Sequence, residues 1–305
     1  MALSHSPASR DPGEPDAGVS TESIDSVDEL LATQARVARF YDGLGVEEWL
    51  RLESDARLRA IFHVHRSILQ QFVREGDRVL DAGSGPGRFS IELAHLGAVV
   101  TAADISAIQI SLARQAALRS APARMPRHFA QLMVTSLPFA GATFDRVVCF
   151  GSVLSHCGER AEEAAVEVVR VLRPDGILLI SVQSTQNYYL EFMLEQVDRY
   201  GLQAVNDAIL HGKQLPDESE VAWRAFSHDE IESLAHVIGC EVVCISASNV
   251  LATIENIPLL EKMERNPRLW EALLRWEEHL GQVRGNTERG AHIIAVFRKN
   301  GATDR

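Results

Sequence analysis

Residues Val79 to Ala94 read VLDAGSGPGRFSIELA. The stretch divides into a short apolar strand over 78–82, a turn with glycine at alternate positions, and an apolar-periodic helix. Gly83, Gly85 and Gly87 give a G-x-G-x-G spacing, with Ser84 between the first two and Asp81 two residues ahead of them. Glycine in such a turn reaches positive φ and lets a ligand lie against bare backbone. The following helix aims its first N–H groups at whatever sits above the turn. A dinucleotide fingerprint needs G-x-G-x-x-G; three residues after Gly85 stands Arg88, so that motif is not met. The Asp81 carboxylate also opposes a pyrophosphate, whereas an amino group or a sulfonium suits it. The turn is predicted to hold a cationic nucleoside.

Downstream, strands and helices alternate. VVTAAD ends at Asp104, 17 residues after Gly87, and a third strand lies near 128–133. FDRVVCF (144–150) is the fourth, a helix follows over 159–172, and RPDG (173–176) turns into the fifth, ILLISV. This rhythm predicts a doubly wound parallel sheet with right-handed crossovers. A carboxylate ending the second strand can accept both hydroxyls of a ribose lying over the turn. The other reading of Asp104 is an N-cap for the helix at Ser106.

Residues 1–20, rich in Ser, Pro, Gly and Asp, are predicted to be a disordered tail. Residues 21–77 form a helical cap: a helix with Val27, Leu30, Leu31, Val37 and Phe40, a break over 40–54 carrying two glycines, and a long helix with Leu58, Ile61, His65, Ile68 and Leu69 on one face. Residues 78–182 are the sheet core, and 183–226 interrupt it with an aromatic helix (TQNYYLEFMLEQVDRYG) and a polar connector over 212–220. Residues 227–305 resume it. They comprise a helix over 227–238 capped by Ser227 with Glu230 as capping-box partner, a strand over 241–248, a helical insertion over 250–290 and a last strand, HIIAVFRK.

Over 305 residues the net charge is −12, which argues against nucleic acid or an anionic membrane as partner. No apolar run reaches membrane-spanning length. Cys149, Cys157, Cys240 and Cys244 form no C-x-x-C pair, and no signal-peptide pattern opens the chain, so a reducing cytoplasm without disulfides is expected. His236, Cys240 and Cys244 lack a fourth ligand, so no metal is expected.

The glycine stretch and about a hundred residues after it resemble the class I S-adenosylmethionine-dependent methyltransferases. The resemblance implies a seven-stranded sheet in the order 3-2-1-4-5-7-6 with an antiparallel last strand, and S-adenosylmethionine as cofactor. It implies cofactor contacts at Asp81, Gly83, Ser84, Gly85, Gly87 and Asp104, with Ile105 flanking the adenine. Relatives often carry a carboxylate four residues before an L-P-F. LPF is present (137–139), but Met133 stands at that position. Adenine is therefore expected to be read by backbone at Val134 with apolar sandwiching, or in part by Ser136. Phe150 and Gly151 are expected against the methionine portion. Tyr41 resembles an aromatic that closes over the cofactor in many relatives, or else anchors the cap.

No N-P-P-Y, D-P-P-Y or Pro-Cys motif occurs, which weakens nucleic-acid methylation, and no acid cluster suggests a metal-dependent catechol site. His156, six residues past Phe150, is a candidate general base or a packed histidine. Tyr188, Tyr189, Phe192 and Trp223 are candidates for a substrate wall, with 183–226 and the cap as a lid. The expected activity is O- or N-methylation of a small organic acceptor, with specialised metabolism as one setting. The alternative is a non-catalytic S-adenosylmethionine-binding regulator or scaffold. Oligomeric state cannot be read from the sequence.

Overall fold

Strand β1, Arg78–Ala82, is buried from Val79 onward and lies at the centre of a parallel set. A computed structural model of the protein describes residues 21–51, 53–120, 123–211 and 223–301. The predicted tail 1–20 and connector 212–220 fall outside these residues. Beside β1 lie β2 (Val99–Asp104) and β4 (Phe144–Cys149); β3 is His128–Gln131, β5 Leu172–Gln183, β6 Cys240–Ser248 and β7 His292–Lys299. The sheet order is β3-β2-β1-β4-β5-β7-β6. β7 runs antiparallel to both neighbours, as the resemblance implied.

The strands are apolar on both faces because helices cover both faces. Period-two alternation sorts them. Leu80, Val147, Leu178, Ile180 and Phe297 join one core cluster, with Ala164 and Val168 of α6 (Ala161–Val171) and Ile231 of α9 (His228–Val237). Val79, Val148, Leu179, Ile294 and Val296 join the other, against Val64, Ile68 and Leu69 of α3 (Ala56–Phe72). Each such side chain contributes about 1.5–3 kcal/mol through burial.

The cap consists of α1 (Thr21–Leu44), α2 (Glu47–Arg51) and α3. Of the two glycines expected to break it, Gly43 stays helical and only Gly45, at φ +50°, ends α1. β5 also starts earlier than expected. The Arg173–Gly176 turn is taken into it as an irregularity in its register with β4, with Asp175 at φ +59°. α4 (Arg88–His95) and α5 (Ala107–Ser120) flank β1 and β2. The interruption after β5 forms α7 (Thr185–Tyr200) and α8 (Leu202–His211), and the later insertion forms α10 (Ile257–Glu264) and α11 (Pro267–Gly281). Register decides what meets at the ligand edge. Ala82 pairs with Ala103, so the glycine turn lies beside Asp104. At the other end His292 pairs with Gln183.

Candidate active site

The glycine turn is sewn to β2: the N–H groups of Gly83 and Ser84 donate to Ala103 O at 2.7 and 2.8 Å. Its three glycines do different work. A Cβ on Gly83 would lie 2.2 Å from Val153 Cγ2, so that glycine permits close packing. Gly85, at φ +51°, faces open space and donates its N–H to Asp104 Oδ2 at 2.8 Å. Gly87 is the N-cap of α4, where a Cβ would meet Ala113 Cβ at 2.8 Å; it serves helix packing and is not on the cavity wall.

The other oxygen of Asp104 accepts from Ser106 N–H at 2.9 Å. Ser106 Oγ, accepting from Gln109 N–H at 3.0 Å, caps α5; the capping role open to Asp104 thus belongs to Ser106. Burial pushes the Asp104 carboxyl up to about 6, against the pull of its two backbone donors. Asp81 is also buried, which raises its carboxyl to about 7. It accepts from Ser90 Oγ of α4 at 2.5 Å and does not border the cavity. The charge argument drawn from Asp81 therefore finds no direct ligand contact in this geometry.

Above the turn opens a cavity of about 1230 Å³, bordered by Ser84, Ile105, Val134, Phe150 and Gly151 among others. Ser136 is not on its wall; its N–H is tied back to Met133 O at 3.2 Å, and Thr135 borders the cavity instead. α1 is strapped across the cavity. Gln34 Nε2 donates to Thr135 Oγ1 at 2.5 Å, Ser106 Oγ donates to Asp42, and Gln109 Nε2 donates to Tyr41 O and Gly45 O at 2.9 and 3.0 Å. The straps set Tyr41 so that its hydroxyl lies 2.7 Å from His156 Nε2. Burial pushes the phenol well above its ordinary range, so it stays protonated at neutral pH. Trp223 meets the His156 ring with centroids 4.5 Å apart.

Phe192 and Trp223 border the cavity, and Tyr188 and Tyr189 do not. Tyr188 stands against both, with centroids at 5.4 and 6.4 Å, and its hydroxyl accepts from Gln196 Nε2 at 2.8 Å. Phe150 packs on Phe89 and His65. The wall also contains Gln34, Arg57, His65 and His292, which sequence reasoning did not single out as site residues.

A glycine turn, a carboxylate ending the next strand and a cavity at the parallel edge of a 3-2-1-4-5-7-6 sheet are the arrangement of the class I S-adenosylmethionine-dependent methyltransferase fold. Residues 79–176 match a family described as a methyltransferase domain. An uncharacterised protein of Methanocaldococcus jannaschii is 25% identical over 221 residues, 70% of this chain and 77% of its own length. A malonyl-[acyl-carrier protein] O-methyltransferase of Erwinia billingiae is 34% identical over 116 residues, 38% of this chain and 43% of that protein. The match thus spans well under half the length of that relative. Among solved structures, magnesium protoporphyrin IX methyltransferase from Synechocystis PCC 6803 with S-adenosylhomocysteine bound superposes with a TM-score of 0.57 at 17% identity, over 88% of this chain and 100% of that one. That likeness concerns the fold.

S-adenosylmethionine is the cofactor of the class, and the residues present fit it. Gly85 leaves open the space a Cβ would fill, and Ser84 Oγ is buried on the wall without a hydrogen-bond partner among the described residues. Asp104 keeps lone pairs beyond the two its backbone donors use, enough for a pair of hydroxyls.

Proposed function

We propose that the protein methylates a small organic acceptor held in the cavity between the glycine turn and the helices α1, α3 and α7. The observation that carries this reading is one continuous cavity with Gly85 and Asp104 on one part of its wall and Phe192, Trp223 and His156 on another. When bound, the cofactor supplies a methyl group already activated on a sulfonium. The protein then has to align the acceptor and exclude water. Ser84, Gly85, Asp104, Ile105 and Val134 would hold the nucleoside, and Phe150 with Gly151 the methionine portion. Phe192 and Trp223 would form the acceptor wall, with Tyr188 and Tyr189 backing it.

His156 is the base in this reading, working through Tyr41. Because Tyr41 Oη lies 2.7 Å from His156 Nε2 and both residues border the cavity, an acceptor proton would pass to Tyr41 Oη as the Tyr41 proton passes to His156 Nε2. The charge of −12 supports an acceptor other than nucleic acid. Among the described residues no helix is long and apolar enough to cross a membrane, which is consistent with work in the cytoplasm. Helices α7 and α8 with the cap act as the lid, and hydrogen exchange with and without S-adenosylhomocysteine should show protection rising in these segments on binding.

The test is calorimetry followed by turnover. S-adenosylhomocysteine should bind and NAD should not, and a panel of hydroxyl and amine acceptors with S-adenosylmethionine should yield S-adenosylhomocysteine. Binding of NAD in preference to S-adenosylhomocysteine would refute the reading; cofactor binding without turnover of any acceptor would favour a regulatory role.

A further inference from the structure

Two histidines 227 residues apart in sequence (65 and 292) meet on the cavity wall. His65 comes from the middle of α3 and His292 opens β7, and their rings stand edge to face with centroids 5.6 Å apart. His65 Nδ1 lies 2.9 Å from Ile61 O, a contact that only a protonated Nδ1 can make. Burial pushes the His65 imidazole down to about 4. It pushes His292 down to about 3, helped by the neighbouring His65, Arg51 and Arg57. Both rings are therefore neutral at physiological pH. In a neutral His65 with its proton on Nδ1, Nε2 carries a bare lone pair.

Neither that nitrogen nor either nitrogen of His292 has a hydrogen-bond partner among the described residues, and His292 Nδ1 is buried. Native proteins pair nearly all buried polar atoms, so unpaired ones against a cavity ask for a ligand. The surroundings of the pair are flat and apolar: Phe150 and Phe89 lie 4.9 and 5.7 Å from the His65 ring, centroid to centroid.

We infer that His65 and His292 form a seat for an uncharged hydroxyl of the acceptor, carried on a flat apolar skeleton and distinct from the group whose proton passes to Tyr41. His65 Nε2 accepts a hydrogen bond from the hydroxyl, and His292 supplies the second polar contact on the same oxygen. The inference rests on the methyl-transfer reading and narrows its acceptor. Glu48 and Glu191 on the cavity wall are each held by an arginine, Arg51 at 2.7 Å and Arg57 at 3.6 Å, so neither carboxylate is left to meet an ammonium.

Phenol and toluene are nearly the same size and differ in one donor, so they serve as probes in ligand-observed NMR on the full chain, with and without S-adenosylhomocysteine. The wild-type protein should bind phenol at least about fivefold tighter than toluene, as one net hydrogen bond provides. His65→Phe should bring the ratio close to one while toluene affinity and S-adenosylhomocysteine affinity stay within about twofold. His292→Phe should lower the ratio as well, and carries the test if the first variant fails to fold. Equal binding of the two probes to wild type would overturn the inference. So would a phenol preference that survives both substitutions, or a loss of S-adenosylhomocysteine affinity in His65→Phe, which would assign the ring to the cofactor. A histidine-dependent phenol preference in a protein that binds no S-adenosylhomocysteine would count against the methyl-transfer reading and leave the seat in place.

Discussion

Asp104 offers the sharpest test of the cofactor site. Its carboxylate already accepts from Gly85 N–H and Ser106 N–H, and roughly four lone-pair positions on a carboxylate leave about two for ribose hydroxyls. Hydrogen bonds to a charged acceptor contribute about 1.5–3 kcal/mol each. Asp104→Ala removes both from the complex and loosens the turn, so S-adenosylhomocysteine should bind roughly 100-fold more weakly, about 3 kcal/mol. Asp104→Asn is more informative. An amide has one acceptor oxygen and one NH₂, so it must present a donor to one of the two backbone donors. That leaves a buried N–H unpaired at a cost of about 1–3 kcal/mol. The asparagine variant should therefore be less stable as well as weaker in binding, by about tenfold.

The pH dependence has a definite sign. Burial raises the free protein's Asp104 carboxyl to about 6, and the ribose requires the ionised form. Affinity should be flat from pH 8 to 7 and then fall toward tenfold per unit as pH drops below 6. Titration calorimetry at pH 5, 6, 7 and 8 on wild type and Asp104→Asn gives the answer. The Asp81 carboxyl, raised to about 7 by burial and in part by the Asp104 charge, titrates nearby, so Asp81→Asn is titrated alongside, and a slope kept in that variant and lost in Asp104→Asn belongs to Asp104. Wild-type affinity in Asp104→Asn, or a wild-type affinity flat to pH 5, would refute the assignment.

Other outcomes follow from the same structure. Asp81 has a folded value raised by burial from 3.8 to about 7, so its stability contribution is lost as pH rises through 7. In urea denaturation, Asp81→Asn should gain on wild type by about 3 kcal/mol more at pH 8 than at pH 5; parallel curves would contradict this. Tyr41→Phe and His156→Ala should each lower kcat by roughly 10²-fold, and the double variant should be no slower than either alone if the two act as one relay. Additive losses in kcat would break the relay. Gly87→Ala should cost about 2–3 kcal/mol of stability, because its Cβ would fall 2.8 Å from Ala113 Cβ at φ +90°. Gly85→Ala, facing open space at φ +51°, should cost only about 1 kcal/mol while weakening cofactor binding; equal losses measured by denaturation would undo the distinction between the two glycines.

The sheet was legible because its signals are local. Strands covered on both faces run apolar over consecutive positions, and Val79 and Leu80, or Leu178 and Leu179, go to opposite cores without any pattern a reader could mistake for a helix. The capping box at Ser227 and Glu230 is equally local and formed as its spacing predicts. Within the glycine turn, the link between Gly85 and Asp104 spans 19 residues and is fixed by parallel pairing. The separate role of Gly87 was not legible, since it depends on where α5 packs. Tyr188, Tyr189 and Phe192 were equal candidates for the wall in the sequence, but the placement of α7 decides which ring reaches the cavity.

The acceptor side escaped for the same reason in a stronger form. Tyr41 meets His156 across 115 residues, and Gln34 meets Thr135 across 101. His65 sits on the apolar face of its helix and is 2% exposed, so reading it as core was correct and incomplete. A buried ring can complete a core with its edges and still turn one nitrogen to a cavity. Only the tertiary placement of β7, antiparallel against β5, brings the His292 ring to within 5.6 Å of the His65 ring. The cofactor half is thus built from β1, β2 and the turn between β1 and α4, whereas the proposed acceptor half draws on α1, α3, α7 and the first residue of β7. Substitutions in those four elements should change which acceptor is used while leaving S-adenosylhomocysteine affinity within a few fold. The straps from Gln34 and Asp42 are the exception, because Asp42 accepts from Ser106, whose own N–H is held by Asp104. Through that chain of contacts α1 is linked to Asp104, the proposed ribose acceptor, and a change at Asp42 should alter cofactor affinity without any contact to the cofactor.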